Sequence, residues 1–141
     1  MLMALCSLSY GQAALFNKYA NTDGVTTVVV SKAMFRMMPD VKIDNRDIKK
    51  IANKIDQLRA LTCERKQLIA RITKDAAAIY SRSPWQEMMR YKEGRTNTVI
   101  YMCPAGKGKH QFVLYTTELG ELNIISILGN LTLEDIRSIT Q

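Results

Sequence analysis

Residues 85–129 read WQEMMRYKEGRTNTVIYMCPAGKGKHQFVLYTTELGELNIISILG. Four runs rich in β-branched and aromatic residues follow one another here: Trp85 to Glu93, Asn97 to Cys103, Gln111 to Thr117 and Leu122 to Leu128. Such residues favour pleated backbone. The breaks are Gly94-Arg95, Pro104 to Lys109 and Glu118 to Glu121, and they carry the glycines that hairpin turns use. Strands joined by connections this short pair antiparallel, because a parallel crossover needs a dozen residues or more. The stretch predicts a C-terminal four-strand antiparallel meander.

Upstream, Glu64 to Tyr80 places Leu68, Ile69, Ile72, Ala76, Ile79 and Tyr80 on one stripe of a helix that Arg82-Ser83-Pro84 stops. Ile48, Ile51, Ala52 and Ile55 predict a shorter helix over 48–55, followed by a strand over Gln57 to Cys63. Val25 to Val30, VTTVVV, is the strongest strand signal of the first half. An amphipathic helix over Ala13 to Ala20 precedes it, and a helix opening at Ser31 with Met34, Phe35 and Met38 on its apolar face follows it. Downstream of the meander, Thr132 and Asp135 have the spacing of a reciprocal helix cap before Leu133, Ile136 and Ile139. The class is α+β: a mostly antiparallel sheet with the helices packed on one face.

The 141 residues suit one domain, and 47% hydrophobic with 23% charged residues is a globular balance. No apolar run approaches the roughly 20 residues that cross a bilayer as a helix, so no transmembrane segment is expected. Met1 to Gly11, MLMALCSLSYG, reads as the apolar core and small-residue cleavage region of a secretory signal peptide, although the basic start of such a leader is missing. Residues 12–141 then form the mature domain, exported and periplasmic or envelope-associated. Cys6 follows Leu5, where a lipobox needs a small residue, so lipidation is not expected. Cys63 and Cys103 remain, either as one disulfide or, the favoured reading, as two buried thiols.

Catalytic motifs are missing. Gly106-Lys107-Gly108-Lys109 is followed by His110 rather than Ser or Thr and lies between two strands, so it is a hairpin tip and not a phosphate loop. There is no G-x-S-x-G, no Cys pair of metal-site spacing, and His110 is the one histidine. No cofactor and no metal are expected. Carboxylates assembled in space by the fold would still permit a hydrolase.

Charge is unevenly spread: Lys42 to Lys109 holds sixteen basic and seven acidic residues, a net +9, whereas His110 to Gln141 holds one and four, a net −3. Basic and aromatic residues are densest at Arg82, Trp85, Arg90, Tyr91, Lys92 and Arg95, the candidate interaction surface. On a regular strand Trp85, Glu87, Met89 and Tyr91 share one face, and Arg90 and Lys92 the other. The aromatic face is either an open contact surface or, the favoured reading, core. Nucleic acid is not expected, because no RRM-type motif is present and an exported chain rarely meets it.

LFNKYANTDGVTTVVVSKAMF at 15–35, IANKIDQLRALTC at 51–63 and NIISILGNLTLEDI at 123–136 together resemble a family of exported Bacteroidetes proteins known only as domain of unknown function 4252. The resemblance implies an envelope location, an α+β domain and no known enzymatic role. The expected function is a non-catalytic envelope or periplasmic interaction module whose partner is an envelope protein or a glycan. The alternatives are a small-ligand binder with an apolar cleft near Met34, Phe35 and Met88, and the hydrolase. Oligomeric state is left open.

Overall fold

The computed structural model describes residues 10–37, 42–43, 46–47, 52–82 and 85–140. Helix α1 spans Tyr10–Tyr19, strand β1 Val25–Ser31, and helix α2, Lys32–Met37, continues directly from β1. The two-residue strands β2 (Lys42–Ile43) and β3 (Arg46–Asp47) pair with each other. A 3-10 turn at Ala52–Lys54 leads into β4 (Ile55–Cys63), and helix α3 (Lys66–Tyr80) follows. The remaining elements are β5 (Gln86–Glu93), β6 (Thr96–Gly106), β7 (Lys109–Glu118), β8 (Glu121–Gly129) and helix α4 (Leu133–Thr140).

Six strands form one antiparallel sheet in the order β1-β4-β8-β7-β6-β5. The meander β5 to β8 stands where the sequence put it, and β4 joins it at β8 with β1 outside. At the β5–β6 turn, Gly94 adopts φ +63°, open to glycine and strained for other residues.

The helices do not share one face. On one side, α1 and α3 bring Leu15, Phe16, Tyr19, Ile72, Ala76 and Tyr80 against Leu61, Val113, Leu122 and Ile124. On the other, Phe35 of α2 and Ile136 of α4 lie in a second core with Leu58, Ile100, Phe112, Leu114, Ile125 and Ile127. These sides are called the α3 face and the α4 face below. Phe112–Thr116 and Leu122–Ile127 are buried at every position. An unbroken apolar run marks a strand covered on both sides, and FVLY at 112–115 is such a run, whereas β8 also buries the polar Asn123 and Ser126. Each fully buried Leu or Ile contributes about 1.5–3 kcal/mol, so two covered faces give this domain more core than a half-open sheet would.

The helix predicted over 48–55 is replaced, within the described residues, by the 3-10 turn at Ala52–Lys54, and Ile55 already begins β4. Residues 48–51 lie outside the described residues. The helical spacing of Ile55 was outweighed by pairing: it sits opposite Gly129 of β8 and is fully buried there. The close approach explains Gly129, where a Cβ would stand 2.1 Å from the Lys54 carbonyl oxygen. Helix α4 is capped as its sequence predicts. The Asp135 N–H donates to Thr132 Oγ1 at 3.2 Å, and the Thr132 N–H donates to Asp135 Oδ2 at 3.1 Å.

Residues 1–9 of the expected leader lie outside the described residues, and α1 begins at Tyr10. Cys63 and Cys103 are both buried, and Cys63 is a free thiol, so the two do not bridge each other.

Candidate functional site

Strand β5 is where the candidate surface residues fall, and a bulge decides how they are sorted. Glu87 pairs with Tyr101, yet Met89 pairs with Ile100, so Met88 is an extra residue in the ladder. The regular alternation expected for Trp85 to Tyr91 therefore fails at Met88. After the bulge, Met89 and Tyr91 point to the α4 face, while Arg90 and Lys92 share the α3 face with Glu87. The Arg90 guanidinium confirms this by donating to both Glu87 oxygens, at 3.0 and 2.8 Å. That pair holds the Glu87 carboxyl below the usual range.

Trp85 is core. It is 7% exposed and meets Tyr80 of α3 edge-on, with ring centroids 4.9 Å apart. Tyr80 in turn stacks on Tyr101 at 5.1 Å. Burial pushes the Tyr80 hydroxyl well above its ordinary pKa, which keeps it neutral in this aromatic stack. Tyr91 is half-buried and ends a polar row that crosses the α4 face through Thr98, Thr116, Asn123, Thr62 and Thr26. Within that row Thr62 donates to the Asn123 side-chain oxygen at 2.8 Å.

Arg82 follows α3 and Arg95 lies in the turn after β5, so the strand separates them by about 25 Å at 3.3 Å per residue. The structure thus brings together Arg90, Lys92 and Arg95, and leaves Arg82, Trp85 and Tyr91 elsewhere. Lys92 lies opposite Asn97, which is opposite Thr117. Beside this row opens a hollow of about 470 Å³ lined by Arg95, Asn97, Thr117, Glu118 and Leu119. Leu119 is an exposed apolar tip on the β7–β8 turn.

Asn97, Thr117, Glu118 and Leu119 were not singled out from the sequence. A signal for them existed: in a meander, alternate turns return to the same end of the sheet, so the Gly94-Arg95 turn and the Glu118–Glu121 turn are neighbours.

The alternatives fare differently. Met34 is an exposed residue of α2 beside β1, Phe35 is buried in the core, and Met88 is exposed on β5 at the opposite end of the strand order, so these three line no common cleft. Among the described carboxylates, every resolved shift is downward. Asp56 is held down by Lys109 and more weakly by Lys32, Asp75 by the Tyr19 hydroxyl and Lys18, and Glu87 by Arg90. For Asp135, burial opposes ionisation, but the Thr132 N–H and Lys54 outweigh it. A general acid needs the reverse shift. Among the described residues, no three His, Cys, Asp or Glu side chains gather as a metal site, and no helix is long and apolar enough to cross a membrane.

The profile of a family described as "Domain of unknown function (DUF4252)" matches residues 19–139. No curated protein matches the chain.

Proposed function

Given that the chain belongs to the DUF4252 family, we propose that it is an exported envelope protein that binds and does not catalyse. The observation that carries this reading is the basic strip Arg90, Lys92 and Arg95 beside the open hollow at the end of the meander. All three side chains are exposed. Arg90 is paired with Glu87, whereas Lys92 and Arg95 make no ion pair with a described residue. Unpaired cations around a hollow with amide and hydroxyl groups, Asn97 and Thr117, suit an anionic, hydroxyl-rich partner. An acidic envelope glycan supplies both, and an acidic patch on an envelope protein supplies the charge. The lowered carboxylates Asp56, Asp75 and Glu87 sit in ion pairs that hold structure.

The test is binding to a panel of acidic and neutral envelope glycans, comparing the native chain with a Lys92→Glu, Arg95→Glu variant. Binding of the native chain to acidic members that weakens with salt, and falls at least tenfold in the variant, is expected. Equal binding by both chains would refute the assignment. Export is checked separately by mass spectrometry of the cell-envelope fraction. The mature protein should lack residues 1–11, and an intact N-terminus in the cytoplasm would overturn that part.

A further inference from the structure

Strand β1 forms one edge of the sheet, and its composition leaves that edge open. Val25–Ser31, VTTVVVS, carries no charge and no proline, and its register against β4 runs from Val25↔Cys63 to Ser31↔Gln57 without a bulge. Val28 and Val29 are 42% and 61% exposed. Proteins usually blunt a sheet edge with charge, proline, a bulge or a short strand. β5, at the other edge, has both charges and a bulge. β1 has neither.

We propose that β1 is a self-association edge, pairing antiparallel with β1 of a second copy about a two-fold axis at Val28. Three observations select this occupant. First, the backbone groups point the right way. The Glu64 N–H donates to the Gly24 oxygen at 3.4 Å, so in the alternating antiparallel ladder the even-numbered residues bond to β4. Thr27 and Val29 then present their N–H and C=O groups outward. A two-fold at Val28 places Thr27 of one copy opposite Val29 of the other, which is the pairing those outward groups require.

Second, the side chains match. The same symmetry sets Val28 against Val28 on the α4 face and Thr27 against Val29 on the α3 face, with no like charges opposed. Third, the ends are complementary. Asp23 lies just before the strand and Lys32, which also pairs with Asp56 of its own chain at 3.5 Å, just after it, so each Lys32 comes opposite Gly24 and beside Asp23 of the second copy. Met34 and Met37, both exposed on α2, continue the apolar surface past the strand end.

The result is one continuous sheet with the two β5 edges outermost, so a dimer presents two basic strips facing away from the junction. The inference does not depend on what β5 binds. A contact built on one strand lies at the small end of specific interfaces, so assembly is expected on the order of 10 μM rather than nanomolar.

Sedimentation of the full chain across a concentration series tests this. The native chain should double its mass with rising concentration. Val29→Lys, at an exposed site, should retain the native circular dichroism and stay monomeric, while Met88→Lys on the opposite edge should dimerise normally. A Val28→Cys chain should form an intermolecular disulfide on mild oxidation, beyond any in the unmodified chain, and Val30→Cys should not. A native chain that is monomeric throughout, a dimer indifferent to Val29→Lys, or cross-linking equal at positions 28 and 30 would each overturn the proposal.

Discussion

β1 closes one side of the sheet with seven residues that carry no charge, whereas β5 closes the other with eight, of which Glu87, Arg90, Lys92 and Glu93 are charged. Both are antiparallel, and each has one edge that pairs with no other described strand. They differ in how they are held. β1 and β4 run in unbroken register with the apolar residues Val25 and Val30 contributing to the two opposite cores, so its order comes from the ladder and from packing. β5 is mostly exposed along its length, is anchored at its start by Trp85, and carries the Glu87–Arg90 pair within itself. The comparison teaches that the charged side chains which keep an edge from pairing with another strand add little to that strand's own packing. β5 needs an anchor outside the strand for that reason, and β1, which packs well, stays open to another strand.

The comparison breaks first at the β5 anchor. Trp85→Ala removes the ring that meets Tyr80 and leaves a cavity under the start of the strand, at a cost of about 3 kcal/mol. Chemical denaturation should show that loss, and a change below about 1 kcal/mol would mean that β5 is held by its ladder alone. A smaller effect tests the end of β1. Asp56 of β4 accepts from Lys109 of β7 and pairs with Lys32 at 3.5 Å, which ties the β1–α2 junction to the sheet.

Because Asp56 has a folded pKa below its unfolded value, its stabilisation is present above about pH 4 and is lost as pH falls through the folded pKa. Asp56→Asn should therefore cost about 1 kcal/mol at pH 7, and the difference from the native chain should vanish in acid. A constant difference down to pH 2 would refute the linkage. The least effect is expected on β5 itself. Glu87 is also lowered, so its pair with Arg90 fades in acid in the same sense. Both partners are largely exposed, and Glu87→Gln should cost only a few tenths of a kcal/mol at low salt. A loss above 1 kcal/mol would show that this edge relies on its ion pair.

Several of these features were legible in the residues. The meander followed from four strand runs with glycine-bearing turns, and the cap of α4 followed from the Thr132 and Asp135 spacing, because both depend on neighbours in sequence. The basic strip was legible as a cluster but not as a surface. One extra residue at Met88 reverses the facing of everything after it, and a bulge leaves no mark in composition. The hollow was missed because Arg95 and Glu118 are brought together by strand order, although they are far apart in the chain.

By itself the sequence determined the α+β class, the meander and the uncharged character of Val25–Ser31, since each rests on local propensity and periodicity. Only the tertiary structure decided that the helices divide between two faces, that Ile55 belongs to a strand and that β1 lies at an edge. Those outcomes depend on which strand finds which neighbour, and pairing energy between distant residues is not written in any short stretch of chain.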